Sequence, residues 1–333
     1  MSDDGPVAPR ARAGFRFWLR ILVSVALLAV LVAKAPDPEE LVPDRHHVLT
    51  ISLLAASLGT TFLGVVLSAW RWQRVLAVFG EHVPLRTLLG HYLAGNFVGN
   101  VLPSTIGGDV LRVTRVSAAV GSSSTGFASV ALERLTGFVA LPLLIFVGYV
   151  ARPSLLDQRR AWLTLLIAGV TLALLGVVLY LAGHPRIAGR FAEHENWMRF
   201  VGAVHTGVDR LRRDPGQLVP VLGTALAYQV SVVVSVALIL RALDLPIPLA
   251  GAFVYVPAVA MLQVLPLSFN GLGVREGALV LFLAPWPGVS NAQAIAVGLL
   301  WFFSTLVVSM LGAPAFAVGD RRHAPGRTPE RTA

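Results

Sequence analysis

Twice in this chain an apolar stretch is interrupted by the same arrangement of helix breakers and charges. The first interruption is NVLPSTIGGDVLRVTR, residues 100–115, and the second begins at Leu265 and reads LPLSFNGLGVREG. In both, glycine stands five residues after the proline (Gly108 after Pro103, Gly271 after Pro266) and arginine nine residues after it (Arg112, Arg275). Proline removes a backbone donor and clashes with the preceding turn, while glycine takes non-helical dihedrals at little cost, so a helix entering either stretch stops and restarts. After the first break the restart is expected at Asp109. That sets Asp109, Arg112 and Arg115 along one side of the new segment, at i, i+3 and i+6. Two such breaks predict an internal repeat of the kind secondary transporters use, where half-helix ends and released backbone groups build a site near the bilayer midplane. The plainer alternative is a pair of Pro/Gly loops whose arginines reach to lipid headgroups.

The surroundings of the breaks require a membrane. With 55% hydrophobic residues, 14% charged residues and a mean hydropathy of +0.71 over 333 residues, the chain falls in the polytopic membrane class and has no room for a sizeable soluble domain. Its net charge of +9 comes from arginine, since Lys34 is the only lysine. Those arginines are spread over loops rather than gathered in one stripe, which argues for topology signals and against nucleic acid. Without cysteine there is no disulfide, thiol nucleophile or thiolate metal site, and no metal or cofactor is expected.

Residues 1–16 read as a disordered, basic cytoplasmic tail and 17–33 as the first span. Ala33-Lys34-Ala35 resembles a signal-peptide cleavage site, but Pro36 suits cleavage poorly and the repeat needs this helix. The acidic loop 36–44 is then external. A second span over 48–69 ends in WRWQR, with Trp70 and Trp72 in the aromatic belt and Arg71 and Arg74 marking the inside. Residues 86–117 are expected to form a re-entrant hairpin turning back at the first break. A third span, 126–150, carries Glu133 and Arg134 about two turns inside it, and intramembrane charges of this kind face a cavity or a partner helix. Spans follow at 161–182, 218–243 and 291–318, with a second hairpin over 250–286. The polar segment 183–217 holds Arg186, Arg190, Arg199, Arg210, Arg212 and Arg213 and is read as a cytoplasmic amphipathic helix, lying either on the inner leaflet or against the spans. Residues 319–333 form a basic cytoplasmic tail.

This layout puts six of the 27 Lys and Arg outside (Lys34, Arg45, Arg152, Arg159, Arg160, Arg241) and two in the membrane (Arg134, Arg275), leaving nineteen inside. The fold class is therefore all-α polytopic, with two inverted-topology repeats, about 17–157 and 158–318, each of three spans plus a broken-helix hairpin. An eight-span arrangement with both hairpin runs crossing is the alternative. Single cysteines at Ser104 and Ser268, introduced into this cysteine-free chain, are expected to label from opposite sides of the membrane. Labelling of both from one side would overturn the inverted hairpins.

Four motifs, in order, carry a family resemblance: SAWRW at the second span, NxLPSxxGGDxxR at the first break, ASVxLERLxG at the third span and LPxSxNGLGVREG at the second break. Over roughly residues 50–318 the chain resembles the lysylphosphatidylglycerol synthase transmembrane region. This is the flippase-like domain of the bacterial multiple peptide resistance factor, also found as stand-alone membrane proteins. The resemblance implies a flippase-like protein of the bacterial cytoplasmic membrane with both termini cytoplasmic. In the resistance factor a second membrane portion and a soluble aminoacyl-transfer domain follow, whereas this chain ends soon after Val318, so the transferase activity and its lipid are not carried over.

The expected activity is binding and moving a lipid with a charged, phosphate-containing headgroup at the two breaks. Asn100, Pro103, Ser104, Gly107, Gly108, Asp109 and Arg112 would form the first half of the site with Glu133 and Arg134 beside them. Pro266, Ser268, Asn270, Gly271, Gly273, Arg275 and Glu276 would form the second. Backbone N–H groups near Gly108 and Gly273 hold the anion, the arginines supply forked donors, and the carboxylates balance them. The partner is a membrane lipid, whether phospholipid, polyprenyl phosphate or glycolipid, and a homo-oligomer or a lipid-synthesis enzyme is a further candidate. No enzymatic activity is expected, because nucleotide loops, paired acidic metal motifs and Ser-His arrangements are missing. The two other classes are a non-transporting partner of a lipid-modifying enzyme, docked through 183–217, and a membrane lipid or glycosyl transferase.

Overall fold

The computed structural model describes residues 47–101, 107–183, 197–264 and 271–321, and every regular element among them is helical. In chain order these are α1 (His47–Val78), α2 (Leu85–Val101), α3 (Gly107–Val120), α4 (Ser123–Ala151), α5 (Ala161–Gly183) and α6 (Trp197–Arg213). They continue as α7 (Leu218–Ala242), α8 (Leu249–Gln263), α9 (Val274–Leu283), α10 (Asn291–Met310) and α11 (Gly312–Arg321). Five are long and apolar enough to cross a bilayer: α1, α4, α5, α7 and α10. Their outer faces leave Val150, Trp162, Leu174, Tyr180 and Phe303 exposed, a surface that is stable only against hydrocarbon. The chain is a multi-pass membrane protein. The first expected span, 17–33, lies outside the described residues.

Helix starts follow local chemistry. Ser122 caps α4 by accepting the Thr125 N–H at 3.2 Å, and Ser290 and Gln293 form a reciprocal capping box at the start of α10. A short helix follows each of the two expected breaks. At 1.5 Å per residue, α3 with 14 residues and α9 with 10 span about 21 and 15 Å, too short for a layer of roughly 30 Å. Each packs back on the helix before it, α3 on α2 and α9 on α8. The close approach of α2 and α3 rests on glycine: a Cβ on Gly108 would collide with the Gly95 carbonyl, and one on Gly95 would meet the Arg112 side chain.

The centre of the molecule is the pairing of α1 with α7. Ser57 and Ser235 each donate to the other's carbonyl, at 2.9 and 3.1 Å, and Thr61 lies 2.8 Å from the Ser235 hydroxyl. One turn further along α1, Gly64 faces Ser231 and Tyr228. Rising numbers on α1 thus meet falling numbers on α7, and the two helices run antiparallel. Around them the halves exchange contacts: α4 packs on α8, and α10 packs on α2.

Three boundaries differ from expectation. α1 does not end at Ala69 but runs through WRWQR to Val78, so Trp72 is fully buried and its indole N–H reaches Ser129 at 3.0 Å. The α3 helix restarts at Gly107, two residues before Asp109. The last span stops at Met310 rather than Val318, because Pro314 withholds a backbone donor and Gly312 packs tightly on the Leu93 carbonyl of α2, which redirects the chain into α11. α6 takes the second of its two expected placements. Val208 and Leu211 pack against a core of Val75, Leu132, Leu175 and Val221, and Arg210 donates to the Phe79 carbonyl at 2.6 Å.

Candidate functional site

One cavity of about 390 Å³ is walled by α1, α2, α4, α7, α8 and α10, with Arg112 of α3 and Arg275 of α9 in its lining. Four arginines line it, one more than the breaks and the LERL motif supply: Arg112, Arg134, Arg275 and, from α1, Arg71. Arg71, Arg112 and Arg275 are each at most 4% exposed. Ions are held at such burial only when paired and hydrogen-bonded, so the partners of each define what the site does.

Glu133, on α4, sits between two of them. Its Oε1 is ion-paired with Arg71 Nη2, and its Oε2 accepts from Arg112 Nη2 at 3.0 Å. A single buried carboxylate thus ties α1 and the first hairpin to α4. Arg112 is further held by Asp109 at 3.3 Å and lies over the rings of Tyr92 at 4.2 Å and Trp72 at 4.4 Å. Arg71 lies over Tyr228 at 4.8 Å, and its Nη1 occupies the space beside Gly137 where any side chain would crowd it. Arg134 points elsewhere. Half exposed, it pairs with Asp109 at 2.5 Å at the rim of an adjoining pocket of about 140 Å³ that Asn100, Gly108 and Asp109 also line.

The second break is built differently. Gly271 and Gly273 both take positive φ, at 73° and 82°, which release the chain into α9. Glu276, three residues on and fully buried, accepts the Gly273 N–H at 2.6 Å and the Arg275 Nε–H at 3.1 Å. Of the backbone donors near Gly273 that the anion reading invokes, the Gly273 N–H itself is taken by a carboxylate of the same helix. The Arg275 guanidinium faces the cavity over Phe302 at 5.0 Å and Trp301 at 5.6 Å.

Among the described residues, Arg71, Arg112, Arg134 and Arg275 against Asp109, Glu133 and Glu276 sum to one net positive charge. The hydrogen-bond account agrees. Arg71 Nε and Nη1, Arg112 Nε and Arg275 Nη2 are buried N–H groups with no partner among the described residues. Such donors cost free energy until an acceptor arrives.

Of the expected site residues, Asn100, Arg112, Glu133, Arg134 and Arg275 line the main cavity. Gly108 and Asp109 line the adjoining one, Gly107 opens α3, and Gly271, Gly273 and Glu276 shape the second break from outside the cavity wall. Pro103, Ser104, Pro266, Ser268 and Asn270 lie outside the described residues. Reading the sequence missed Arg71, which stands not in a cytoplasmic loop but in the buried ion-pair network. It also missed Ser68, Tyr92, Tyr228, Gln229, Ser231, Trp301 and Phe302 of the lining. The signal for the polar ones was present as Ser57, Thr61 and Ser68 on one helix and Thr224, Ser231 and Ser235 on another, polar positions at helical spacing within spans that have no need of them. Among the described residues no three His, Cys, Asp or Glu side chains are grouped to hold a metal ion.

The family model described as Lysylphosphatidylglycerol synthase TM region matches residues 17–312. No curated protein matches the chain.

Proposed function

The chain belongs to the lysylphosphatidylglycerol synthase TM region family, and from that premise we propose that it is a flippase-like transporter which binds the phosphate of a lipid headgroup in the central cavity and carries it between leaflets. One observation carries this reading: Arg71, Arg112 and Arg275, from three different helices, bring partnerless buried N–H groups to one chamber with a net positive charge. Guanidinium forks match phosphate oxygens in geometry as well as charge. Embedded in spans, that chamber lies where a lipid headgroup in transit needs it.

The antiparallel pairing of α1 with α7 and the exchange of contacts between halves support two inverted repeats. In this reading α1, the hairpin α2–α3 and α4 correspond to α7, the hairpin α8–α9 and α10. Rocking one set against the other opens the chamber first to one leaflet and then to the other. The basic segments 183–217 and 319–333 stand on the cytoplasmic face of a bacterial inner membrane.

Mass spectrometry of lipids that co-purify in mild detergent tests the site without a guess at the substrate. The native protein is expected to carry one anionic lipid enriched over the bulk membrane. An Arg112→Ala, Arg275→Ala variant is expected to lose that enrichment at least tenfold, since a charge-assisted hydrogen bond is worth about 1.5–3 kcal/mol. Equal lipid profiles on both proteins would make the arginines structural and favour the non-transporting partner.

A further inference from the structure

The arginines are only part of the cavity lining. From them a polar strip runs along the α1–α7 pairing through Ser68, Gln229, Ser231, Thr61 and Ser235, with Thr305 of α10 across the chamber. From Arg71 back to Thr61 is ten residues of α1, about 15 Å of helix and about half of the hydrocarbon thickness. Within it α1 carries no charged residue between Ser57 and Trp70, and α7 carries none between Thr224 and Leu240. The strip is polar and neutral.

Its hydrogen bonding defines what it accepts. Thr61 donates to the Ser57 carbonyl at 2.9 Å, Ser231 to Tyr228 at 2.6 Å, Thr305 to Trp301 at 3.0 Å, and the Gln229 amide N–H to Gly137 at 3.2 Å. The hydroxyl donors are thus spent inside the protein, while the Gln229 amide keeps a second N–H, and apart from the Thr61–Ser235 contact at 2.8 Å the strip presents oxygen acceptors. Ser68 Oγ, fully buried, has no partner among the described residues. An incoming group must therefore donate hydrogen bonds to the strip and also satisfy the Ser68 hydroxyl. Hydroxyls do both. An ammonium group donates as well, but among the described residues the one carboxylate that lines this cavity, Glu133, is already shared between Arg71 and Arg112, so a cation entering there meets arginine before it meets a free carboxylate. The volume points the same way: about 390 Å³ holds about a dozen water-sized groups, and a phosphate fills a fraction of that.

We propose that this strip is a second subsite, for the hydroxyls of a neutral polyol or sugar esterified to the phosphate, so that the headgroup class is a polyol or glycosyl phosphate rather than an amine. The inference rests on the phosphate reading of the arginines.

The test is binding of three short-chain lipids to the purified protein by native mass spectrometry: phosphatidic acid, phosphatidylethanolamine and phosphatidylinositol. Phosphatidylinositol is expected to bind about tenfold tighter than either of the others. In a Ser68→Ala, Ser231→Ala variant that preference is expected to fall to threefold or less. The ratio is internal to each protein, so a partly unfolded preparation does not mimic the loss. Equal binding of all three lipids, or tightest binding of phosphatidylethanolamine, overturns the subsite while leaving the phosphate site standing. A preference that survives in the variant also overturns it. Failure of all three lipids to bind overturns both readings.

Discussion

Replacing Glu133 with glutamine is expected to destabilise the protein by about 3–5 kcal/mol, the usual consequence of removing one partner from a buried ionic cluster. The effect is large because one side chain neutralises two. Glutamine keeps the shape and one acceptor oxygen, but it leaves Arg71 without a counter-charge and Arg112 with only the longer contact to Asp109 at 3.3 Å, both nearly inaccessible to solvent. The Asp109→Asn variant provides the contrast. Its short ion pair is with Arg134, whose side chain is 52% exposed, and its contact with buried Arg112 is the longer one at 3.3 Å, beside the Glu133 pair, so a loss of about 1 kcal/mol is expected. Thermal unfolding in detergent separates the two cases. A Glu133→Gln loss as small as that of Asp109→Asn would mean that water in the cavity solvates the arginines, and that the carboxylate is not the latch between α1, α4 and the first hairpin.

The second large effect belongs to a methyl group. Gly108→Ala is expected to destabilise the first hairpin by about 1–3 kcal/mol and to abolish the anionic-lipid enrichment. The new Cβ meets the backbone of Gly95, and backbone cannot rotate aside as a side chain can. The way to relieve the clash is to part α2 from α3, which carries Arg112 away from Glu133. The same change at Gly90 on α2 meets open space. There the substitution is expected to be neutral or stabilising by up to about 1 kcal/mol, through the better helix propensity of alanine. Unfolding midpoints of the two variants, with lipid analysis of each, check the pair. Equal behaviour would mean that the α2–α3 contact does not set the position of Arg112.

Much of the fold is legible in the chain because the membrane simplifies the problem. Bilayer thickness converts apolar run length into spans, and Pro103, Gly108, Pro266 and Gly271 announce breaks that no uninterrupted helix tolerates. The positions of α1, α4, α5 and α7, and of the short helices α3 and α9, follow from those two rules. Glu276 was readable too: a glutamate three residues after Gly273 is the local signature of a helix start, and the structure uses it so.

Arg71 shows where such reading stops. In WRWQR its neighbours Trp70, Trp72 and Arg74 make it look like a topology marker at the membrane surface, since composition near a helix end says nothing about which face a residue presents. Its role depends on α4 placing Glu133 against that face, and on Gly137 leaving room for the guanidinium. The neutral strip is a similar case, because single serines at helical spacing are unremarkable until α1 and α7 are brought together in antiparallel register. Span lengths, breaks and the excess of arginine are properties of one stretch at a time, and hydrophobic transfer acts on each stretch independently. Which charges share a counter-ion and which donors are left without an acceptor depend on distances between helices, and those exist only once the helices have packed.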